Sequence, residues 1–243
     1  MYKPKSIISA LAALGATVLF MLLSSSAAVA QSTLFNVPST DVVSKKKVYL
    51  EFDFLSHFES HANGGFQIYT PRAVFGVARG VEVGINISAI DALAPNQPVY
   101  ASPNVKWQFY SSETTGVAVS AGALLYTPIA HRTGANTFGF LYSVVSKKVK
   151  GNYGPRITGG GYGLPGLAKG AGTQGGAIVG YEQPLAKKVT FVADWFSGKN
   201  AFGYVTPGFS FTLPKSSLFN VGYSIGNHGR KNNALFVYYG ITF

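Results

Sequence analysis

The segment VYLEFDF (48–54) alternates between two kinds of side chain. Its even-numbered residues are all apolar, whereas the odd positions hold Tyr49, Glu51 and Asp53. Successive side chains of a β-strand point to opposite faces, so a period of two indicates a strand with one apolar and one polar face. The segment therefore predicts a strand that lies between a hydrophobic and a hydrophilic environment.

The same alternation recurs along the chain. It is seen in VEVGINISA (81–89), NVKWQFY (104–110), VTFVADWF (189–196) and LFVYYGITF (235–243). These segments lack the helical spacing of apolar residues at three, four and seven. The sequence thus predicts an all-β fold of about twelve strands, with ten or fourteen as alternatives. The predicted strands lie near 47–57, 66–77, 81–90, 102–111, 116–126, 137–146, 152–162, 174–183, 188–197, 201–212, 217–226 and 234–243.

The composition of the two faces favours a membrane barrel over a soluble sandwich. Only 12% of the residues are charged, against about 25% in a typical soluble domain, and the polar faces hold mainly Gly, Ser, Thr and Asn. Aromatic residues occur on the apolar faces near the strand ends: Phe58, Trp107, Tyr181, Trp195 and Tyr239. Membrane barrels turn apolar side chains to lipid and polar ones to the lumen, with aromatic girdles at both interfaces. We therefore predict a transmembrane antiparallel up-and-down β-barrel, closed because lipid leaves no partner for unpaired backbone groups.

The lengths of the connections support the same architecture. The short connections are 78–80, 112–115, 147–151, 184–187 and 213–216, and those between them are mostly longer, with 198–200 as the exception. Outer-membrane barrels have short periplasmic turns and long extracellular loops, so an even strand count places both termini on the periplasmic side. Three prolines, Pro71, Pro155 and Pro207, fall within predicted strands. Because each removes a ladder hydrogen bond, those strands are expected to bulge or to begin later.

The first thirty residues have the order of a secretory signal peptide. Lys3 and Lys5 precede an uncharged stretch at 6–23, and the small-residue triplet Ala28-Val29-Ala30 follows. We predict cleavage after Ala30, with a retained anchor as the alternative. The predicted organisation is a signal peptide (1–30), a periplasmic N-terminal segment (31–46) and a barrel (47–243) in the outer membrane of a Gram-negative cell.

The last strand ends in an aromatic residue. Tyr239, Ile241 and Phe243 alternate up to the C-terminus. This pattern is similar to the C-terminal recognition strand of bacterial outer-membrane proteins, which implies the barrel-assembly machinery as a partner. Because an exposed hydrophobic edge promotes aggregation, we also expect this strand to pair with the one at 47–57.

The net charge of +11 lies mostly at one rim of the predicted barrel. The basic residues assigned to the periplasmic side are Lys45, Lys46, Lys47, Arg79, Lys147, Lys148, Lys150, Lys187, Lys188 and Lys215, against Asp41 and Glu113. A ring at a membrane interface brings these charges within a Debye length of lipid phosphates. Nucleic-acid binders instead gather basic and aromatic residues in one groove. We therefore expect outer-membrane lipids and lipopolysaccharide as partners, and no nucleic acid.

Eight charged residues occupy the inward parity of their strands. They are Glu51, Asp53, Arg72, Glu82, Lys106, Arg156, Glu182 and Asp194. One interpretation is a water-filled lumen whose selectivity these charges set, with a mild cation preference because acids outnumber bases. The other is a set of ion-pair belts that hold a filled barrel together. Glycines of the same parity leave room inside a barrel of this size, which favours a channel for small solutes without proving it.

No catalytic or cofactor motif emerges, and we expect neither an enzyme, a cofactor nor a metal site. The chain has no cysteine, which excludes thiolate chemistry. The glycines at 161–166 match a dinucleotide fingerprint only formally, since no βαβ pattern surrounds them. For a lipid-modifying enzyme the one local trio is Ser224, Asn227 and His228, without support for their alignment. His57 and His61 are four residues apart, but the stretch is strand followed by loop rather than helix.

Five segments together resemble a known group of barrels. They are PRAVFGVARGVEVGINIS (71–88), SPNVKWQFY (102–110), AVSAGALLYTP (118–128), IVGYEQPLAKKVTFVADWFSGKN (178–200) and NALFVYYGITF (233–243). In pattern and order they are similar to the outer-membrane transporter-like barrels of a MetA-pathway phenol-degradation family, distantly similar to fatty-acid channels. The resemblance implies passive uptake of small, aromatic or apolar solutes. Residues 31–46 are too short for the N-terminal plug domain of fatty-acid channels. The function expected is a monomeric channel; the alternatives are a closed structural or surface-interaction barrel and an outer-membrane lipid-modifying enzyme.

Overall fold

A computed structural model describes residues 32–228 and 233–243. The predicted signal peptide lies outside the described residues. Within them, twelve antiparallel strands form a closed barrel in which each strand pairs with its neighbours in sequence and β1 pairs with β12. The strands are β1 (Val48–His57), β2 (Phe66–Ala78), β3 (Val81–Asp91), β4 (Val99–Ser112), β5 (Val117–Ala130), β6 (Phe138–Lys148), β7 (Arg156–Gly163), β8 (Gly175–Ala186), β9 (Val189–Phe196), β10 (Tyr204–Leu213), β11 (Ser217–Gly226) and β12 (Ala234–Thr242). The predicted all-β up-and-down barrel of twelve strands is confirmed, and ten and fourteen strands are excluded.

The first and last strands close the cylinder. Their register runs from Tyr49 opposite Thr242 to Ser56 opposite Leu235. Beyond the end of β12, the amide of Phe243 donates to the carbonyl of Val48 at 2.8 Å, and the amide of Val48 donates to the carbonyl of Phe243 at 3.2 Å. The predicted pairing of the C-terminal strand with β1 is therefore confirmed.

Pro155 lies just before a strand, whereas Pro71 lies within one and interrupts the sheet on one side only. Strand β7 begins at Arg156, directly after Pro155. Pro71 stays in register with Phe52 of β1, while the pairing of β2 with β3 skips Thr70 and Pro71 and resumes in the same register. Since proline lacks an N–H, the sheet loses a ladder bond on the side where that N–H would point.

The two faces of the sheet separate as the alternation predicts. Leu50, Phe52 and Trp107 lie outside and are 42%, 48% and 57% exposed. Tyr49 and Glu51, at the intervening positions of β1, are buried inside. Both termini of the barrel and the connections after the even-numbered strands lie at one end, here called the turn rim, and the connections after the odd-numbered strands lie at the other, the loop rim. The turn-rim connections have two to four residues, except for the seven between β6 and β7, and the loop-rim connections have seven to eleven. The described residues include one 3-10 helix, His61–Asn63, and no helix long and apolar enough to cross a membrane.

Candidate functional site: the barrel lumen

Residues 32–44, here called the lumen segment, run through the inside of the barrel. Leu34, Phe35 and Val37 are at most 1% exposed and join the main hydrophobic cluster of the lumen. The contacts of the segment extend from Ser146, near the turn-rim end of β6, to Thr206, near the loop-rim end of β10. The sequence predicted a periplasmic segment at 31–46, and the lumen segment within it lies inside the cylinder.

Asp194 binds the turn of the lumen segment. Its Oδ2 atom accepts hydrogen bonds from the consecutive amides of Phe35, Asn36 and Val37 at 2.9, 2.7 and 2.8 Å. The amide of Leu34 donates to the carbonyl of Val37 at 2.8 Å and closes the turn. Hydrogen bonds to an ionised acceptor are the stronger kind, so this carboxylate holds the turn in one conformation.

A buried ion pair binds both ends of the lumen segment. Lys106 Nζ lies 3.1 Å from Glu82 Oε1, and both residues are at most 3% exposed. Lys106 also donates to the carbonyls of Ser32 and Asp41 at 2.7 and 2.8 Å. Glu82 accepts from the hydroxyl of Ser32 and the amide of Val43, each at 2.6 Å. The pair is thus satisfied largely by the lumen segment, which buried charges require.

Arg156 joins the segment to the wall near the turn rim. Its guanidinium contacts Asp41 Oδ2 at 2.5 Å and Glu182 Oε1 at 2.7 Å. Asp41, which the sequence assigned to the rim charge, is therefore an ion-pair partner of an inward arginine. One arginine is shared by one acid of the segment and one acid of the wall.

A fourth cluster belongs mainly to the wall. Arg72 lies 2.9 Å from Glu51 Oε1 and 3.3 Å from Asp53 Oδ2, and its Nη1 donates to the hydroxyl of Thr33 at 3.2 Å. The hydroxyl of Tyr49 donates to Glu51. The structure therefore places all eight predicted residues on the inward face, and it groups them into four clusters.

Side chains of the lumen segment pack against inward-facing glycines of the wall. A Cβ atom added to Gly180 would lie 2.7 Å from Cδ2 of Leu34, and one added to Gly222 would lie 2.8 Å from Cζ of Phe35. The room expected from these glycines is present, but it is occupied. Sequence reasoning missed this role of the lumen segment. The signal was a group of large apolar residues just before β1, facing a wall with missing side chains.

The remaining space beside the lumen segment is small. A cavity of about 80 Å³ lies between a polar wall and an aromatic wall. Its lining includes Asn36, Arg72, Asn86, Asn104, Lys106, Tyr126, Phe140, Phe196 and Phe202. For comparison, an engineered apolar cavity that binds benzene measures about 150 Å³. The cavity therefore suits a few water molecules in this conformation.

The residues weighed for catalysis and metal binding are engaged elsewhere. The hydroxyl of Ser224 lies 2.8 Å from that of Thr206 inside the barrel, while the side-chain amide of Asn227 donates to the carbonyls of Phe196 and Gly198 at the loop rim. His228 is exposed. Among the described residues, no three His, Cys, Asp or Glu side chains converge as metal ligands. The Ser224 trio is therefore not brought together.

The three residues predicted as a C-terminal assembly signal lie on the outer face or at its end. Tyr239 and Phe243 are 44% and 60% exposed, and Ile241 shares their parity.

Comparison with protein families finds no match to this chain, and comparison with curated proteins finds none similar to it. The features that bear on function are therefore the lumen and the outer surface of the barrel.

Proposed function

We propose that this protein is an outer-membrane barrel that passes small solutes when its lumen segment moves, and that the segment closes it at rest. The outer surface supports the membrane location. Large apolar side chains are exposed on it, while eight charged residues of the strands face inward, bound to each other or to the lumen segment. Soluble monomers rarely expose contiguous apolar patches above a few hundred Å², whereas lipid solvates such a surface.

The observation that carries the channel proposal is that a separate segment fills the lumen. Side chains alone fill barrels of about eight strands, and barrels of about sixteen leave an open channel. In this twelve-stranded barrel, residues 32–44 occupy the lumen space that the side chains of the wall leave unfilled. Within these residues, one isolated bridge joins Thr33 to Pro38 of the same segment, and the wall is contacted through side chains. The segment can therefore leave without breaking the ladder of the barrel.

Passage through such a lumen would be passive and need no cofactor. The class of solute is inferred from the aromatic side of the remaining cavity. There Tyr126 stacks on Phe138 with ring centroids 4.7 Å apart, and Phe202 packs edge-on against Tyr126 at 5.7 Å. Its polar side holds Asn86 and Asn104. Small solutes with an apolar or aromatic part fit this pair of walls once the segment has moved.

A second candidate is a permanently closed structural barrel. It is favoured by the pairing of the inward charges, since every one of the eight has a partner on the wall or the lumen segment. In that case the segment acts as a core, and its loss lowers stability without producing a pore.

A reversible lock on the lumen segment distinguishes the two candidates. The hydroxyl oxygens of Thr40 and Ser146 are 2.6 Å apart, and the chain has no native cysteine. A Thr40→Cys/Ser146→Cys variant should form a disulfide between segment and wall. In planar bilayers we expect discrete conductance steps from the wild type, almost none from the oxidised variant, and recovery on reduction.

The matched control links two strands of the wall. Thr70 and Ser88 are 3.1 Å apart on β2 and β3, so Thr70→Cys/Ser88→Cys introduces a lumen disulfide that does not touch the segment. It should conduct like the wild type in both redox states. Removal of residues 32–43 should give a steadily open pore. Silence of the wild type and of the shortened chain would establish the closed barrel instead, and conduction by the locked variant would show that the segment is no gate.

A further inference from the structure

Two neighbouring turns at the turn rim concentrate lysines on the outside of the barrel. Lys147 and Lys148 end β6, Lys150 follows in the β6–β7 turn, and Lys187 lies in the β8–β9 turn; all four are exposed. We call them the lysine cluster. The two turns adjoin, because the side chain of Gln183 on β8 donates to the carbonyl of Tyr153 in the β6–β7 turn at 2.8 Å.

The charge of the lysine cluster is not neutralised by nearby acids. None of the ion pairs formed by the described residues involves these four lysines. Glu182, on the adjoining strand, faces the lumen and is bound to Arg156. Glu113 on the β4–β5 turn lines the same surface groove as Lys148 and Lys150. One acid beside four lysines leaves the cluster strongly positive.

The outer surface next to the lysine cluster is apolar and open. Lys147, Ile157 and Tyr181 lie in one row across β6, β7 and β8. Ile157 and Tyr181 are 53% and 36% exposed. In the row that holds Val145, Gly159 and Val179, a Cβ atom added to Gly159 would meet nothing within 4 Å. Neighbouring strands are about 4.8 Å apart, so the backbone of Lys147 directly adjoins this open surface, while its Nζ donates to the carbonyl of Thr115 in the β4–β5 turn.

We propose that the lysine cluster binds the phosphate of an anionic phospholipid in the leaflet at the turn rim, with an acyl chain along the outer face over Gly159. The proposal rests on the membrane location proposed above. Charge complementarity selects an anionic headgroup, since lysines beside an anionic lipid surface are attracted to its phosphates. The adjoining apolar rows select a lipid rather than a free anion, because they offer a surface to a hydrocarbon chain.

Native mass spectrometry of the full mature protein in detergent tests the proposal. Phosphatidylglycerol and phosphatidylcholine with identical acyl chains serve as probes. We expect the wild type to retain phosphatidylglycerol preferentially, and a Lys147→Gln/Lys150→Gln/Lys187→Gln variant to bind it at least tenfold more weakly. The matched control, Lys45→Gln/Arg79→Gln/Lys215→Gln, removes three charges elsewhere on the rim and should lose less than threefold.

A charge-neutral variant tests the acyl-chain part. Gly159→Leu fills the open surface on the lipid-facing side, so it should fold normally and weaken phosphatidylglycerol retention severalfold. Equal retention of the two lipids by the wild type, equal losses in the two triple variants, or unchanged retention in Gly159→Leu would each overturn the local site. Inorganic phosphate that displaces the lipid at low concentration would reveal a plain anion site. A protein that folds without detergent would instead refute the membrane location.

Discussion

At the scale of single residues, the lumen follows one rule: a charge in the barrel has a partner. Ionisable groups at membrane depth are costly and pair with each other or with backbone groups. Lys106 and Glu82 bond each other and the lumen segment, and Asp194 is bound by three amides. The parity of the strands placed these side chains inside. Parity could not identify the amides that Asp194 accepts from, because they belong to a segment without strand periodicity.

Replacing Asp194 by alanine tests whether its carboxylate holds the lumen segment. The change leaves the amides of Phe35, Asn36 and Val37 without their acceptor, and losing hydrogen bonds to a charged group costs about 3 kcal/mol. We expect these amides to exchange with solvent about a hundredfold faster, as measured by hydrogen–deuterium exchange in detergent. Asp91→Ala removes an exposed carboxylate at the end of β3 that lies 3.9 Å from His61 and should leave exchange in the lumen segment unchanged. Unaltered exchange in Asp194→Ala would show that packing alone holds the turn.

At the scale of elements, the strands were predictable and the lumen segment was not. Each strand carries its own signal, since alternation both marks it as a strand and fixes its inner face. The predicted and observed bounds differ most at β5, which extends to Ala130, and at β7, which starts after Pro155. The lumen segment has no such period. Its position depends on complementarity with glycines far away in sequence, such as Gly180 and Gly222.

Gly222→Ala tests that complementarity. The new Cβ would lie 2.8 and 2.9 Å from two ring carbons of Phe35, and overpacking of this kind costs about 1–3 kcal/mol. We expect a lower unfolding free energy in detergent, measured by denaturant titration. In a Phe35→Ala background the same substitution should cost less, because the ring is gone and only the carbonyl of Pro207, 3.0 Å from the new Cβ, remains close. Gly159→Ala, whose Cβ meets nothing within 4 Å, should be neutral. Equal costs in both backgrounds would show that Phe35 is not what Gly222 accommodates.

At the scale of the whole molecule, the main chain and the side chain of Phe243 are separate features, one closing the barrel and the other predicted to act in its assembly. The main chain of Phe243 forms two hydrogen bonds with Val48 and so seals β12 to β1. Its ring is 60% exposed on the outside and contributes no ring contact to the lumen. A side chain that stabilises the barrel little is free to serve as a signal to the assembly machinery, which is the role that the alternating Tyr239, Ile241 and Phe243 predict.

Phe243→Ala separates these two roles. The substitution keeps both main-chain hydrogen bonds, so the purified variant should refold in detergent micelles as completely as the wild type. In cells we expect severalfold less folded barrel, because the aromatic terminus is missing when the chain meets the assembly machinery; the heat-dependent gel mobility of outer-membrane fractions measures this. Phe52→Ala removes another outward phenylalanine, 48% exposed on β1, and is the matched control with near-normal yield. If both variants assemble equally well in cells, the C-terminal ring is no signal. If Phe243→Ala also fails to refold in micelles, its ring contributes to closure itself.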